Sequence, residues 1–159
     1  MVAQIGNTIR VPLLSTAQVS ALSTAQMKSL TPAQISQLTT TQLANINTAD
    51  IKILTSGQIT ALSATQVKAL TSTQLGVLTS DQVSFLGGAQ LAALSTLQLG
   101  YLASTDFAAL GSAQVAALSS SQLHALNTGQ FSSLSTAAIV GIDASKVAAL
   151  TAEDLAALT

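Results

Sequence analysis

Leucine or isoleucine recurs at every eighth position from Leu14 to Leu158, nineteen sites without an insertion, and a second apolar residue stands five places after each until Leu155. That second series begins Val19, Met27, Ile35 and includes Phe107 and Phe131. The residue after each Leu is Ser, Thr, Asn, Asp or Gly at every site except Ala103. These are the residue types that cap helix N-termini. Three places after the cap comes Gln in thirteen of eighteen octads, Asp50, Asp106 and Asp154 in three more, and Ala138 and Lys146 in the last two. Ser/Thr-x-x-Gln is a capping box, and the Leu before the cap with the apolar residue four after it forms a hydrophobic staple. Each octad therefore carries a complete helix start. Pro32 falls at the first helical position, where proline costs least.

Two other readings of the period fit worse. A continuous helix advances about 800° per octad, so its apolar stripe would slip roughly 80° each time and no face would be buried. Strand alternation places Leu14, Thr16, Gln18 and Ser20 on one side and Ser15, Ala17, Val19 and Ala21 on the other, neither of them cleanly apolar. A β-solenoid of short segments would relieve that mixing, but Gln, Ala and Leu are poor strand formers and the caps would have no purpose. The pattern predicts an all-α, elongated solenoid of very short capped helices, one per eight-residue repeat, each roughly 10 Å long. Such helices do not persist alone, because nucleation is costly and few bonds follow it. They must be held by their neighbours, as in other solenoids.

The number of octads per superhelical turn has two candidate answers. Gln37, Ile53, Phe85 and Tyr101, large residues among small ones, fall at multiples of 16 residues, whereas Ile53, Val77 and Tyr101, and also Phe107 and Phe131, are 24 apart. The 16-residue helix-turn-helix unit is the expectation, with the 24-residue unit as alternative. Residues 1–13 read as an N-terminal capping segment, with Asn7 as cap, Arg10 in the Gln place and Pro12 interrupting, and residues 14–159 as a solenoid of eighteen repeats. At the other end Asp143, Lys146, Glu153 and Asp154 concentrate charge in a partial cap, and Thr159 stands where the next cap would.

Composition narrows the function classes. Charged residues make up 7% of the chain and net charge is −1, with Arg10, Lys28, Lys52, Lys68 and Lys146 scattered, so no basic patch for nucleic acid arises. Mean hydropathy is +0.55, yet no run of apolar residues is long enough to insert in a membrane. There is no cysteine, and the first ten residues have no apolar core of a signal peptide. No catalytic, cofactor-binding or metal-binding set emerges. His124 is the single histidine and occupies a tolerant site. Asp50, Asp106 and Asp154 replace boxed Gln and are expected to keep its back-bonding role. Gly87-Gly88 lacks the strand and Lys-Ser/Thr of a phosphate loop. The expectation is a non-enzyme without cofactor.

A regular row of hydroxyls at the first helical position is the one candidate ligand surface: Thr16, Thr24, Thr40, Thr48, Ser56, Ser72 and Ser80. Repeated along one edge of a rod, such a ladder would suit a polysaccharide or ice.

Leu30-Thr31-Pro32-Ala33-Gln34-Ile35 resembles the opening of a TAL-effector repeat, over six residues only and without that family's base-reading loop. From Leu14 to Thr159 the chain resembles the Leu-Ser/Thr-x-x-Gln octad arrays of large repetitive bacterial surface and secreted proteins. That resemblance implies an extracellular or cell-surface scaffold, spacer or adhesin-like fibre element that self-associates end to end or laterally. The alternative is a binding module whose hydroxyl ladder meets a glycan or ice. A cytoplasmic location also fits a chain with no signal peptide.

Overall fold

The computed structural model describes residues 10–158, and within them every regular element is helical. A 3-10 turn, Val11–Leu13, precedes a first coil of α1 (Thr16–Ser20), α2 (Thr24–Ser29) and α3 (Pro32–Ser36). The next coils are α4 (Thr40–Ala44), α5 (Thr48–Lys52) and α6 (Ser56–Ala61), then α7 (Ala64–Lys68), α8 (Ser72–Leu75) and α9 (Ser80–Ser84). They are followed by α10 (Gly88–Ala92), α11 (Thr96–Leu99) and α12 (Ser104–Ala108), and by α13 (Ser112–Ala117), α14 (Ser120–His124) and α15 (Thr128–Ser132). The last coil is α16 (Thr136–Ile139), α17 (Ala144–Val147) and α18 (Ala152–Ala156). Asn7 and Thr159, assigned as caps from the sequence, lie outside the described residues.

Each helix starts and stops for reasons local to its octad. The cap residue is extended, as at Thr39 (φ −69°, ψ 157°), and its hydroxyl accepts the Gln42 amide while Gln42 Oε1 accepts the Thr39 amide at 2.8 Å. The stop needs no glycine. Instead the amide of the next Leu closes back by three residues, as Leu38 does on the Ile35 carbonyl at 3.1 Å, a 3-10 bond that tightens the last turn. Leu and cap then run extended for two residues, and a new helix begins.

Packing decides the superhelix. The principal contacts all join helices three apart, α3 with α6, α7 with α10, α9 with α12, α10 with α13, α12 with α15 and α13 with α16. Three octads therefore make one coil, and the expected 16-residue unit gives way to a 24-residue one. The physical reason lies in the corners. Each corner is two extended residues after one tight turn, so the chain completes its circuit in three straight segments rather than folding back after two.

Both apolar series point inward. The staple residue is at most 1% exposed in every octad from Val19 to Phe131, and the corner residues from Leu30 to Leu134 are buried beside it. Burial of each such side chain contributes about 1.5–3 kcal/mol. In the last coil this ceases: Ile139 is partly buried, while Val147 and Leu155 are 42% and 43% exposed.

Candidate functional site

The recurring polar feature of the fold is the residue three after each cap. Gln42, Gln58, Gln66, Gln74, Gln82, Gln90, Gln122 and Gln130 are all buried. Their Oε1 atoms complete the capping box, which leaves Nε2 to reach the preceding coil. From Gln42 onward each boxed Gln uses that nitrogen in the same way, donating to the corner carbonyl 28 residues earlier. Gln58 donates to Leu30 at 2.8 Å, Gln74 to Ile46 at 2.8 Å, Gln90 to Leu62 at 2.6 Å and Gln130 to Leu102 at 2.9 Å. Most add the staple carbonyl 31 residues earlier, as Gln58 does on Met27 at 3.0 Å. One side chain thus starts its own helix and satisfies the C-terminal carbonyls of the coil beneath it.

The five octads without Gln test this arrangement. Lys146 keeps the donor role: its Nζ meets the Ala116 carbonyl, and Asp143 Oδ2 lies 3.7 Å away. Asp143 itself caps α17, and its carboxyl is held below the usual range by the Ser145 hydroxyl and the Lys146 amide. Asp106 accepts the Ala103 amide at 2.8 Å, so the half of the box that a polar side chain in place of Ala103 would supply is missing, and its other oxygen accepts the Ser80 hydroxyl at 2.8 Å from the coil below. Asp154 accepts the Thr151 amide at 2.9 Å and faces His124 Nδ1 at 3.0 Å. Ala138, fully buried, makes no link of this kind and lets the coils close in: a Cβ on Gly141 would collide with the Ser112 carbonyl oxygen.

Asp50 corrects the expectation. It does not bond the backbone amide of its cap; Oδ2 accepts the Asn47 side-chain amide at 2.5 Å instead. The Asn47 amide nitrogen stands one bond further out than the Thr151 hydroxyl, which donates to Asp154 without displacing the cap amide, and Ala103 carries no donor at all.

The seven hydroxyls assigned to a ligand ladder all occupy first helical positions. With three octads per coil they divide over three edges: Thr16 with Thr40, Thr24 with Thr48 and Ser72, and Ser56 with Ser80. Ser80 is engaged with Asp106. The edge through Thr24, Thr48 and Ser72 continues to Thr96 and Ser120, a row of hydroxyls 24 residues apart ended by Ala144.

The only place among the described residues where an imidazole meets carboxylates is a cleft of about 270 Å³ lined by His124, Asn127, Phe131, Thr151, Glu153 and Asp154. Burial there pushes the Asp154 carboxyl up, but the Thr151 amide, the His124 ring and the Thr151 hydroxyl outweigh it and hold the group below its ordinary value. Thr151 donates its hydroxyl to Asp154 at 2.8 Å, so it is not activated by the imidazole. Among the described residues no three His, Asp or Glu side chains stand together in a way that would hold a metal ion. Among them, too, no helix is long and apolar enough to cross a membrane.

Sequence reasoning missed the second role of Gln, although a signal was present. Glu serves a capping box as well as Gln, yet no octad uses Glu there, and the chain's single Glu is Glu153. Of these two side chains only the Gln amide offers an acceptor to one partner and a donor to another; an ionised Glu accepts only.

A family model described as the ALTTAQ repeat matches residues 13–40, 43–80, 58–87, 65–96 and 99–136. The six letters correspond here to Ala21-Leu22-Ser23-Thr24-Ala25-Gln26, which include corner, cap and boxed Gln in order. A comparison with curated proteins returns no match.

Proposed function

Since this chain belongs to the ALTTAQ repeat family, whose model covers most of its length, we propose that it is a non-enzymatic structural element, a spacer or scaffold that self-associates into a fibre on or outside the cell. Its mechanism is repetition. Every coil offers the next one the same apolar floor and the same corner carbonyls, so adding octads adds length without new chemistry.

The observation that carries this reading is the state of the last coil. Val147 and Leu155 are exposed where the corresponding side chains of the octads from Val19 to Phe131 are buried. A further coil of the same kind, whether the array continues or a second copy supplies it, would cover them, and a head-to-tail contact between copies does not close on itself. With few charges at the surface, little opposes association. Sedimentation velocity over a hundredfold concentration range tests it: the sedimentation coefficient is expected to grow with concentration, and a constant monomer value would sink the fibre reading.

A second reading is favoured by the hydroxyl edge from Thr24 through Thr48, Ser72, Thr96 and Ser120. Its regular spacing suits a polysaccharide or ice surface. Replacing those five residues by Ala should abolish binding to a glycan array or thermal hysteresis while leaving the circular dichroism spectrum unchanged.

A further inference from the structure

Asp50 is 1% exposed, and its Oδ1 is the one buried side-chain polar atom among the described residues with no hydrogen-bond partner. Its Oδ2 is taken by Asn47. It stands where other octads place a Gln amide, so the repeat register sets it opposite the corner of Leu22 and the staple carbonyl of Val19, on the α2 side of α5. The neighbouring corners, Leu14 and Leu30, each accept a Gln nitrogen, from Gln42 and Gln58. Among the described residues no backbone amide donates to the Leu22 carbonyl. An oxygen of a carboxylate and a backbone carbonyl therefore face the space that a nitrogen and its hydrogens fill elsewhere.

Two acceptors without a donor between them call for positive charge, since a buried carboxylate is costly unless it is paired or coordinates a metal. Among the described residues no side chain supplies it. Lys52 on α5 and Lys28 on α2 are exposed, neither forms an ion pair with Asp50, and α8, which packs on the other side of α5, carries no charged residue. At Asp106 the residue 26 earlier, Ser80, donates to the second oxygen, whereas at Asp50 the residue 26 earlier is Thr24, whose hydroxyl makes no such bond.

We propose that Asp50, with the Leu22 and Val19 carbonyls, binds a small hard cation between the coils of α2 and α5. The donor set is all oxygen, which selects an alkali or alkaline-earth ion over softer metals. One carboxylate matches the charge of sodium. The ion takes the place of the Gln amide as the link between coils, so this octad is the one whose stacking depends on the solution.

Thermal unfolding of the full chain in sodium chloride, in calcium chloride and in choline chloride at equal ionic strength tests the site. The midpoint is expected to lie about 2–4 °C higher in sodium or calcium than in choline. Asp50→Gln supplies the missing donor and should melt at the higher temperature in all three salts. Asp50→Asn, which removes the charge with little change in size, should also lose the salt difference. In ²³Na spectra the wild-type chain should broaden the sodium line more than either variant. Equal midpoints for the wild type in all three salts, or a sodium response retained in both variants, would overturn the proposal.

Discussion

The Gln130 side-chain nitrogen lies 2.9 Å from the carbonyl oxygen of Leu102, one coil below, while its Oε1 accepts the Asn127 amide at 3.1 Å. Helix initiation and coil stacking are thus joined in one fully buried side chain. Gln130→Ala loses both and should lower unfolding stability by about 1–3 kcal/mol. Gln130→Glu keeps the box but turns an oxygen toward the Leu99 and Leu102 carbonyls, and at neutral pH it should cost about 3–5 kcal/mol. The pH dependence has a definite sign. A glutamic acid in this place is favoured neutral, so its folded pKa is raised; stability is present below the unfolded value of about 4.3 and is lost as pH rises through the folded one. Urea unfolding of both variants at pH 4 and pH 7 measures this, and a Glu variant as stable as wild type at pH 7 would refute the pinning role.

Ser80 and Asp106 form the substitute link at the α9 to α12 step. Ser80→Ala leaves a buried carboxylate oxygen unpaired and should destabilise by about 1–3 kcal/mol. Asp106→Gln should restore the usual donor to the Leu78 corner and make Ser80 dispensable. In a double-mutant cycle the Ser80→Ala cost is expected to fall by at least about 1 kcal/mol in the Gln background. Additive costs would mean that Ser80 and Asp106 act independently.

Gly141 sits where the small Ala138 allows close approach, and an added Cβ would meet the Ser112 carbonyl oxygen and the Ala116 amide nitrogen. Both are backbone atoms, which cannot swing aside as a side chain can. Gly141→Ala is expected to cost about 1–3 kcal/mol as α16 is pushed off α13. Gly111→Ala is the control, because its nearest neighbour is the flexible Gln114 side chain at 3.7 Å. Similar melting of the two variants would contradict the close approach.

The octad, its caps and its staples are local features, and they are legible because each is decided within eight residues. Ser23, Gln26 and Met27 predict their own helix, their own box and their own burial. The coil of three octads is not, since the sign of it in the sequence is a few large side chains such as Ile53, Val77 and Tyr101, which a 16-residue spacing of Ile53, Phe85 and Tyr101 obscures. What sets the coil is the backbone geometry of the corner, and that appears in no residue type. The pinning bonds lie hidden for a related reason. Gln58 and Leu30 are bonded across 28 residues, a separation that has meaning only after the coil is known. The hydroxyl row divides over three edges on the same account, because adjacent octads such as those of Thr16 and Thr24 occupy different sides of the coil.

His124 and Asp154 tie the last helix to the stack below it at 3.0 Å. The carboxylate accepts, so the hydrogen of this contact resides on Nδ1. Burial raises the Asp154 pKa, but the Thr151 amide and hydroxyl and the His124 ring outweigh it, for a net depression. A depressed carboxyl contributes stability that is present above the unfolded value of about 3.9 and lost as pH falls through the folded one. The imidazole is largely exposed and the pair is screened, so its worth is expected to be below about 1 kcal/mol. That is too little to move global unfolding and enough to matter at one end. Amide exchange of α18 should accelerate severalfold in Asp154→Asn and in wild type at pH 3, compared after correction for intrinsic rates, while amides of α10 to α13 stay unchanged. Since the Asn variant keeps a side-chain oxygen that can still accept from Thr151, His124→Ala isolates the imidazole contact, and α18 protection equal to wild type in that variant would assign the anchoring to Thr151 alone.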